Sequence, residues 1–389
     1  MAVQEVTKVS YGSRIASSFK GILVGIIMFI IAIPVLWLNE GRAVKTYKAL
    51  KEGAKNVISV EANAVDGANE GKLIHISGNA ATTDTLRDDK FGIQIVGIKL
   101  VREVEMYQWK ENTSTETKKK VGGSEEKTTT YTYEKGWASS AISSANFKEQ
   151  GHDNPGVMPF EQFETTAQNV TVGAFKLSDS QIRRISGAVP LNVREDQPLP
   201  NIPHITRMDN GFYISKNGAS SFVAPEIGDV KVTFSLVSPH DISICSVQTG
   251  NTFKPYTAKN GKSIDLLSSG IKTADEMFES AQKANVLVTW ILRFVGFFLM
   301  YAGISAVLAP LSVLADVVPF IGNIVGAGTK AISFLVALPI SLLVIALAWI
   351  FYRPLLGIAL LVIVVVCVVL VIKKLLAAKA AKAAAPAQA

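Results

Sequence analysis

The stretch Gly21-Ile-Leu-Val-Gly-Ile-Ile-Met-Phe-Ile-Ile-Ala-Ile-Pro-Val-Leu-Trp-Leu38 contains no charged residue. Its length matches the ~18–20 apolar residues that cross a bilayer core as a helix. Three more segments of this kind crowd the other end of the chain, at 286–309, 331–351 and 355–372. Such spans must be helical, because hydrocarbon offers no partner to backbone N–H and C=O groups. The sequence therefore predicts an α+β membrane protein. Four transmembrane helices carry a large β-rich extracytoplasmic or luminal domain, 39–285, inserted between helix 1 and helix 2. A cleaved signal peptide is rejected for residues 1–38: the apolar run exceeds the usual ~7–15 residues, and Trp37-Leu38-Asn39 lacks the small residues of a cleavage site.

The 389 residues are 49% hydrophobic and carry a net charge of +7, but the placement of that charge says more than its sum. Lys8, Arg14 and Lys20 precede the first span against Glu5 alone. Lys373, Lys374, Lys379 and Lys382 follow the fourth with no acidic side chain among them. Both ends, 1–20 and 373–389, are then expected in the cytoplasm. Four spans return the chain to the side it left, so the domain is expected to face the periplasm or exterior of a prokaryote, or an organelle lumen. Basic ends beside a bilayer are expected to meet anionic lipid, at about 1 kcal/mol per Lys, and not nucleic acid. Of the two cysteines, Cys367 lies in a span and Cys245 in the domain, so they cannot pair within one chain. Cys245 reads as a small buried hydrophobe, with an intermolecular disulfide as the minor alternative.

Within the domain, β-branched and aromatic runs predict strands at 72–77, 93–109, 128–133, 230–236 and 242–247. The polar run 111–127, containing Gly122-Gly123, reads as a solvated or disordered hairpin tip. Helical pieces are expected at 159–167 and 179–185. Thr273-Ala-Asp-Glu276 is a capping box. Neither Gly nor Pro interrupts 274–295, so the domain's last helix is expected to continue into span two. Residues 39–54 are also free of Pro and should extend span one. The connector 310–330 is unusually apolar, which predicts an interfacial or re-entrant segment on the cytoplasmic side. Tyr352-Arg353-Pro354 makes a tight turn between spans three and four.

Gly21-x-x-x-Gly25 can let two helices approach closely, more readily within the chain's own bundle than between chains. Gly322-x-x-x-Gly326 is a weaker signal of the same kind. Arg293 is a membrane-embedded charge near the outer end of span two, from where it can snorkel to the interface. Spans one, three and four contain no ionisable group, which argues against transport. No catalytic, cofactor-binding or metal-ligating residue is expected. His75, His152, His204 and His240 are scattered, Ser124-x-x-Lys127 sits in a charged loop, and no phosphate loop or Cys pair occurs. Tyr107, Trp109, Tyr131, Tyr133 and Trp137 form an aromatic cluster, either core or interaction surface, with core favoured because strand aromatics usually bury.

Several stretches in order resemble the transmembrane protein 43 (LUMA) family over nearly the whole chain. They are Asn39-Glu-Gly-Arg42, Asn69-Glu-Gly-Lys-Leu-Ile-His-Ile-Ser-Gly78, Val104-Glu-Met-Tyr-Gln-Trp109, Tyr131-Thr-Tyr133 with Trp137, Ser144-Ala-Asn-Phe147 with Gly151-His-Asp-Asn-Pro155, Gly228-Asp-Val-Lys-Val-Thr-Phe-Ser235 and Phe351-Tyr-Arg-Pro354. The resemblance implies the endoplasmic reticulum and inner nuclear membrane of animals, organisation of membrane protein complexes, self-association and nuclear membrane organisation. It brings no catalytic residues. The short N-terminus and the Ala/Lys-rich tail depart from the animal pattern, so a prokaryotic member is expected, residing in the cell inner membrane. The function expected is a non-enzymatic multi-pass scaffold. Its expected partners are the lipid bilayer, anionic lipids at the basic termini, other membrane proteins and further copies of the chain. A channel or conductance component is the alternative, and a lipid-acting enzyme the third.

Overall fold

The structure is a computed structural model that describes residues 3–193, 198–355 and Ile358. It is α+β, with a large β-rich domain and three helices long and apolar enough to cross a membrane: α1 (Tyr11–Asn56), α3 (Ala274–Ala315) and α4 (Pro319–Tyr352). Except for Leu355 and Ile358, the expected fourth span at 355–372 and the basic tail lie outside the described residues, Cys367 with them. The described residues divide into two compact units, drawn from 1–7, 49–117 and 126–282, and from 8–48, 118–125 and 283–389.

In the first unit, alternation builds the core. The strand Val230–Val237 pairs with Lys99–Lys119 in a register that sets Val230 opposite Met106, Val232 opposite Val104 and Leu236 opposite Leu100. All six are buried, the period-two pattern a half-covered strand requires. These strands sit centrally in an eight-stranded sheet that also holds Glu125–Ala138, Gly211–Ile214 and Ile205–Met208. A seven-stranded sheet centres on His240–Thr249, buried continuously from Ile242 to Gln248, with Leu73–Ala81 on one side and Leu266–Ser269 on the other. Phe91, Phe175, Phe212 and Phe234 fill the main core. A satellite core joins Ala49 and Leu50 of α1 to Leu73, Cys245, Met277 and Phe278.

Three local readings need correction. Residues 163–166 form a strand, not a helix, because Phe163-Glu-Thr-Thr166 gains a ladder against Lys99–Arg102; tertiary pairing overrides a weak local preference. The polar run 111–127 is an ordered hairpin, in which Lys99–Lys119 and Glu125–Ala138 turn through Gly122 and Gly123 at φ of 89° and 81°, a region glycine enters without steric cost. The connector 310–330 is no re-entrant loop. α3 runs through Pro310 to Ala315, and α4 starts at Pro319, the first-turn position that suits proline. The short helix α2 (Asp179–Arg184) forms where expected, with Ser178 and Gln181 as a reciprocal cap. The Thr273–Glu276 box opens α3 in the same way.

Candidate functional site

In the second unit the four residues Asn39-Glu-Gly-Arg42 each meet another helix. The Asn39 amide donates to the Thr289 carbonyl (3.0 Å). Glu40, almost fully buried, accepts from Arg293 Nε (2.6 Å), Arg293 Nη2 (3.0 Å) and Trp349 Nε1 (2.7 Å). Gly41 lies so close to Tyr352 that an added Cβ would sit 2.6 Å from the ring. Arg42 donates to Asn285, Thr289 and Asn39. Arg293 also stacks over Trp290 and Trp349, with its guanidinium carbon 4.8 Å and 5.5 Å from the ring centroids. Arg293 is thus held in a bidentate pair, a strong geometry for a guanidinium and a carboxylate. It does more than snorkel.

Beside this junction opens a cavity of about 240 Å³, lined by Tyr47 of α1, by Asn285, Thr289, Trp290 and Arg293 of α3, and by Trp349 and Arg353 at the end of α4. The Arg353 guanidinium rests 6.0 Å from the Trp349 ring centre and has no carboxylate partner among the described residues.

A second cluster occupies the other end of the same helices. Buried Asp316, in the turn between α3 and α4, pairs with Arg14 and with Lys119 Nζ (2.7 Å). Arg14 reaches Glu125 (2.7 Å) and the Gly123 carbonyl as well. Gly122 N–H donates to the Val317 carbonyl (2.9 Å), and the Tyr11 hydroxyl to the Leu314 carbonyl (3.0 Å). The hairpin tip 118–125 is therefore tied to the first turn of α1 and the α3–α4 turn. At ~1.5 Å per residue, Arg14 and Glu40 lie about 39 Å apart along α1, close to the ~40–45 Å of a bilayer with its headgroups. Between the clusters the helices meet through Ala32, Leu36, Met300, Ala337 and Val344. At Gly25 an added Cβ would come within 2.6 Å of the Gly303 carbonyl oxygen, whereas at Gly21 it would meet nothing within 4 Å. Gly326 faces Ser312, and Gly322 packs on Asp316.

The aromatic cluster lies outside the main core, half-buried. The reason is parity: Val104, Met106 and Gln108 point inward, so Tyr107 and Trp109 occupy the opposite face of the strand. Tyr107 packs on Trp137 (5.2 Å), and Trp137 stacks near Phe222 (6.3 Å) under Lys231. Tyr133 stacks on His152 (4.0 Å), which meets the Trp109 edge (4.4 Å). The Tyr131 hydroxyl donates to Glu5 (3.1 Å). Asn154 pins the covering loop by accepting from Trp109 N–H and donating to its carbonyl. Cys245 is buried against Met277, and burial pushes its thiol up to about 12, far from a reactive thiolate. The described residues hold no cluster of three or more His, Cys, Asp or Glu able to bind a metal.

Sequence reasoning singled out Arg293 but missed Glu40, Arg42, Trp349 and the Arg14–Asp316 pair. The available signal was a Glu and an Arg immediately beyond an uncharged span, inside the Asn39–Arg42 stretch.

The family model described as Transmembrane protein 43 matches residues 106–354. Transmembrane protein 43 of Rattus norvegicus is 37% identical over 88% of this chain and 87% of its own. The Homo sapiens protein of that name is 35% identical over the same shares, and the Drosophila melanogaster homolog 29% over 90% and 94%. No solved structure matches. With its apolar helices, its β-rich domain and relatives aligned along most of its length, the chain belongs to the transmembrane protein 43 family, a family of integral membrane proteins and not of enzymes.

Proposed function

We propose that the chain is a non-enzymatic membrane scaffold that associates with itself and organises other membrane proteins, in the manner the family resemblance implies. The observation that supports this most directly is where the bundle holds its charges. They are paired at its two ends, Glu40 with Arg293 and Asp316 with Arg14, and between these clusters the described helices carry only the exposed Lys20 and Lys330. Conduction calls for ionisable or polar groups along the middle of the spans. These helices instead keep most of their apolar surface outward, with only 17–22% of each apolar window buried inside the chain. That surface is available to lipid and to other helices.

The membrane proposed is the inner membrane of a prokaryotic cell, corresponding to the endoplasmic reticulum and inner nuclear membrane of animal relatives, with the domain opposite the two termini. This orientation puts the domain, of which 118–125 is sequentially a part, on the side opposite Arg14, and it requires the hairpin tip to leave Arg14 and Asp316 once the helices are inserted.

Chemical crosslinking in native membranes, followed by native mass spectrometry in mild detergent, tests the reading. Discrete oligomers are expected. A monomer at every concentration, or voltage-driven ion flux through protein reconstituted in liposomes, would overturn it.

A further inference from the structure

The Arg-rich junction holds more positive charge than its own carboxylate can neutralise. Arg42, Arg293 and Arg353 gather around α1, α3 and the end of α4, and Glu40 is the only carboxylate bonded to any of them among the described residues. Glu40 engages Nε and Nη2 of Arg293, and Nη1 of that guanidinium has no acceptor among the described residues. Arg42 is bonded to neutral amide and hydroxyl oxygens, and its Nε is buried without a partner. Beyond Arg353 the chain contains no Asp or Glu that could serve as a counterion.

The cavity into which Arg293 and Arg353 face is framed by the rings of Tyr47, Trp290 and Trp349. Tyr and Trp concentrate where headgroups begin, and an arginine fork matches phosphate geometry better than an ammonium does. Its volume, about 240 Å³, suits a phosphodiester with a small substituent and excludes acyl chains.

We propose that this cavity binds the phosphate headgroup of an anionic membrane lipid. Arg353 and the free Nη1 of Arg293 donate to the phosphate oxygens, and Trp290 and Trp349 wall the headgroup while the acyl chains remain in the bilayer. The site is distinct from the basic tail at 373–389, whose four lysines are expected to meet anionic surfaces. The inference rests on the helices being inserted and does not depend on the scaffold reading.

The experiment is native mass spectrometry of the full-length protein released from nanodiscs of phosphatidylcholine alone or with one-fifth phosphatidic acid or phosphatidylglycerol. One tightly retained anionic lipid per chain is expected. Arg353→Gln should weaken retention by about tenfold, the loss of one charge-assisted contact. Among the described residues the Arg353 side chain meets only the Trp349 ring, so the variant should fold, and circular dichroism checks this. Lys373→Gln with Lys374→Gln should leave the tight lipid in place. Inorganic phosphate at millimolar concentration should not displace it, which separates lipid from free phosphate. Equal retention by Arg353→Gln and the wild type, loss only in the tail variant, or displacement by phosphate would each overturn the assignment.

Discussion

Glu40 is a carboxylate just beyond the apolar run of α1, and its cost in that position is offset only by the partners it meets. A buried pair of this kind contributes little net stability over a well-packed apolar pair, but removing one partner strands the other. Glu40→Ala should therefore destabilise the protein by about 3–5 kcal/mol. Glu40→Leu combined with Arg293→Leu should recover most of that loss, as read by thermal unfolding in detergent. A double variant no better than the single one would mean that the pair does more than neutralise itself. In the domain, buried Asp229 behaves differently. Burial alone would raise its carboxyl, but hydrogen bonds from the Tyr213 hydroxyl and from Lys216 and Glu226 N–H outweigh this and hold it below the ordinary carboxylate range. Burial, together with the same carboxylate, pushes the Tyr213 phenol up to about 12. A carboxyl depressed in the folded state stabilises at pH above its unfolded value, and the contribution is lost as pH falls through the folded one. Unfolding midpoints should thus decline from about pH 4 downward, and Asp229→Asn should be less stable at neutral pH with a flatter acid slope.

Helix approach is decided element by element. α1 and α3 come together at Gly25 and Gly303, where each glycine lies against the other's carbonyl. Gly25→Ala forces a methyl into that contact and should cost roughly 1–3 kcal/mol. Gly21→Ala points into open space and should be nearly silent. Equal effects of the two in a thermal melt would show that the bundle does not pack this way. The spacing Gly21-x-x-x-Gly25 announced small residues on one face of α1, and only one of the two serves that contact. The strand at 163–166 carries the same lesson. Its local signal was weak, and an edge of the eight-stranded sheet was available to it.

Across the whole molecule, the hairpin tip bears on the orientation, because its Lys119 and Arg14 of α1 share Asp316. Lys119→Cys with Asp316→Cys should crosslink readily in detergent and much less in sealed proteoliposomes, if insertion releases the tip. Efficient crosslinking in the bilayer would overturn the placement of the domain opposite the two termini.

What the sequence determined by itself is what local chemistry sums: uncharged runs of membrane length, strands alternating at period two, capped helix starts and hence the α+β class. Transfer of a side chain from water to lipid or core depends on that side chain and its near neighbours, so it can be read along the chain. What only the tertiary structure decided is which distant groups meet. Glu40 and Arg293 are 253 residues apart, and Arg14 and Asp316 are 302 apart. Such pairs carry no periodicity, because their energy exists only once separate elements have brought both charges out of water and into reach.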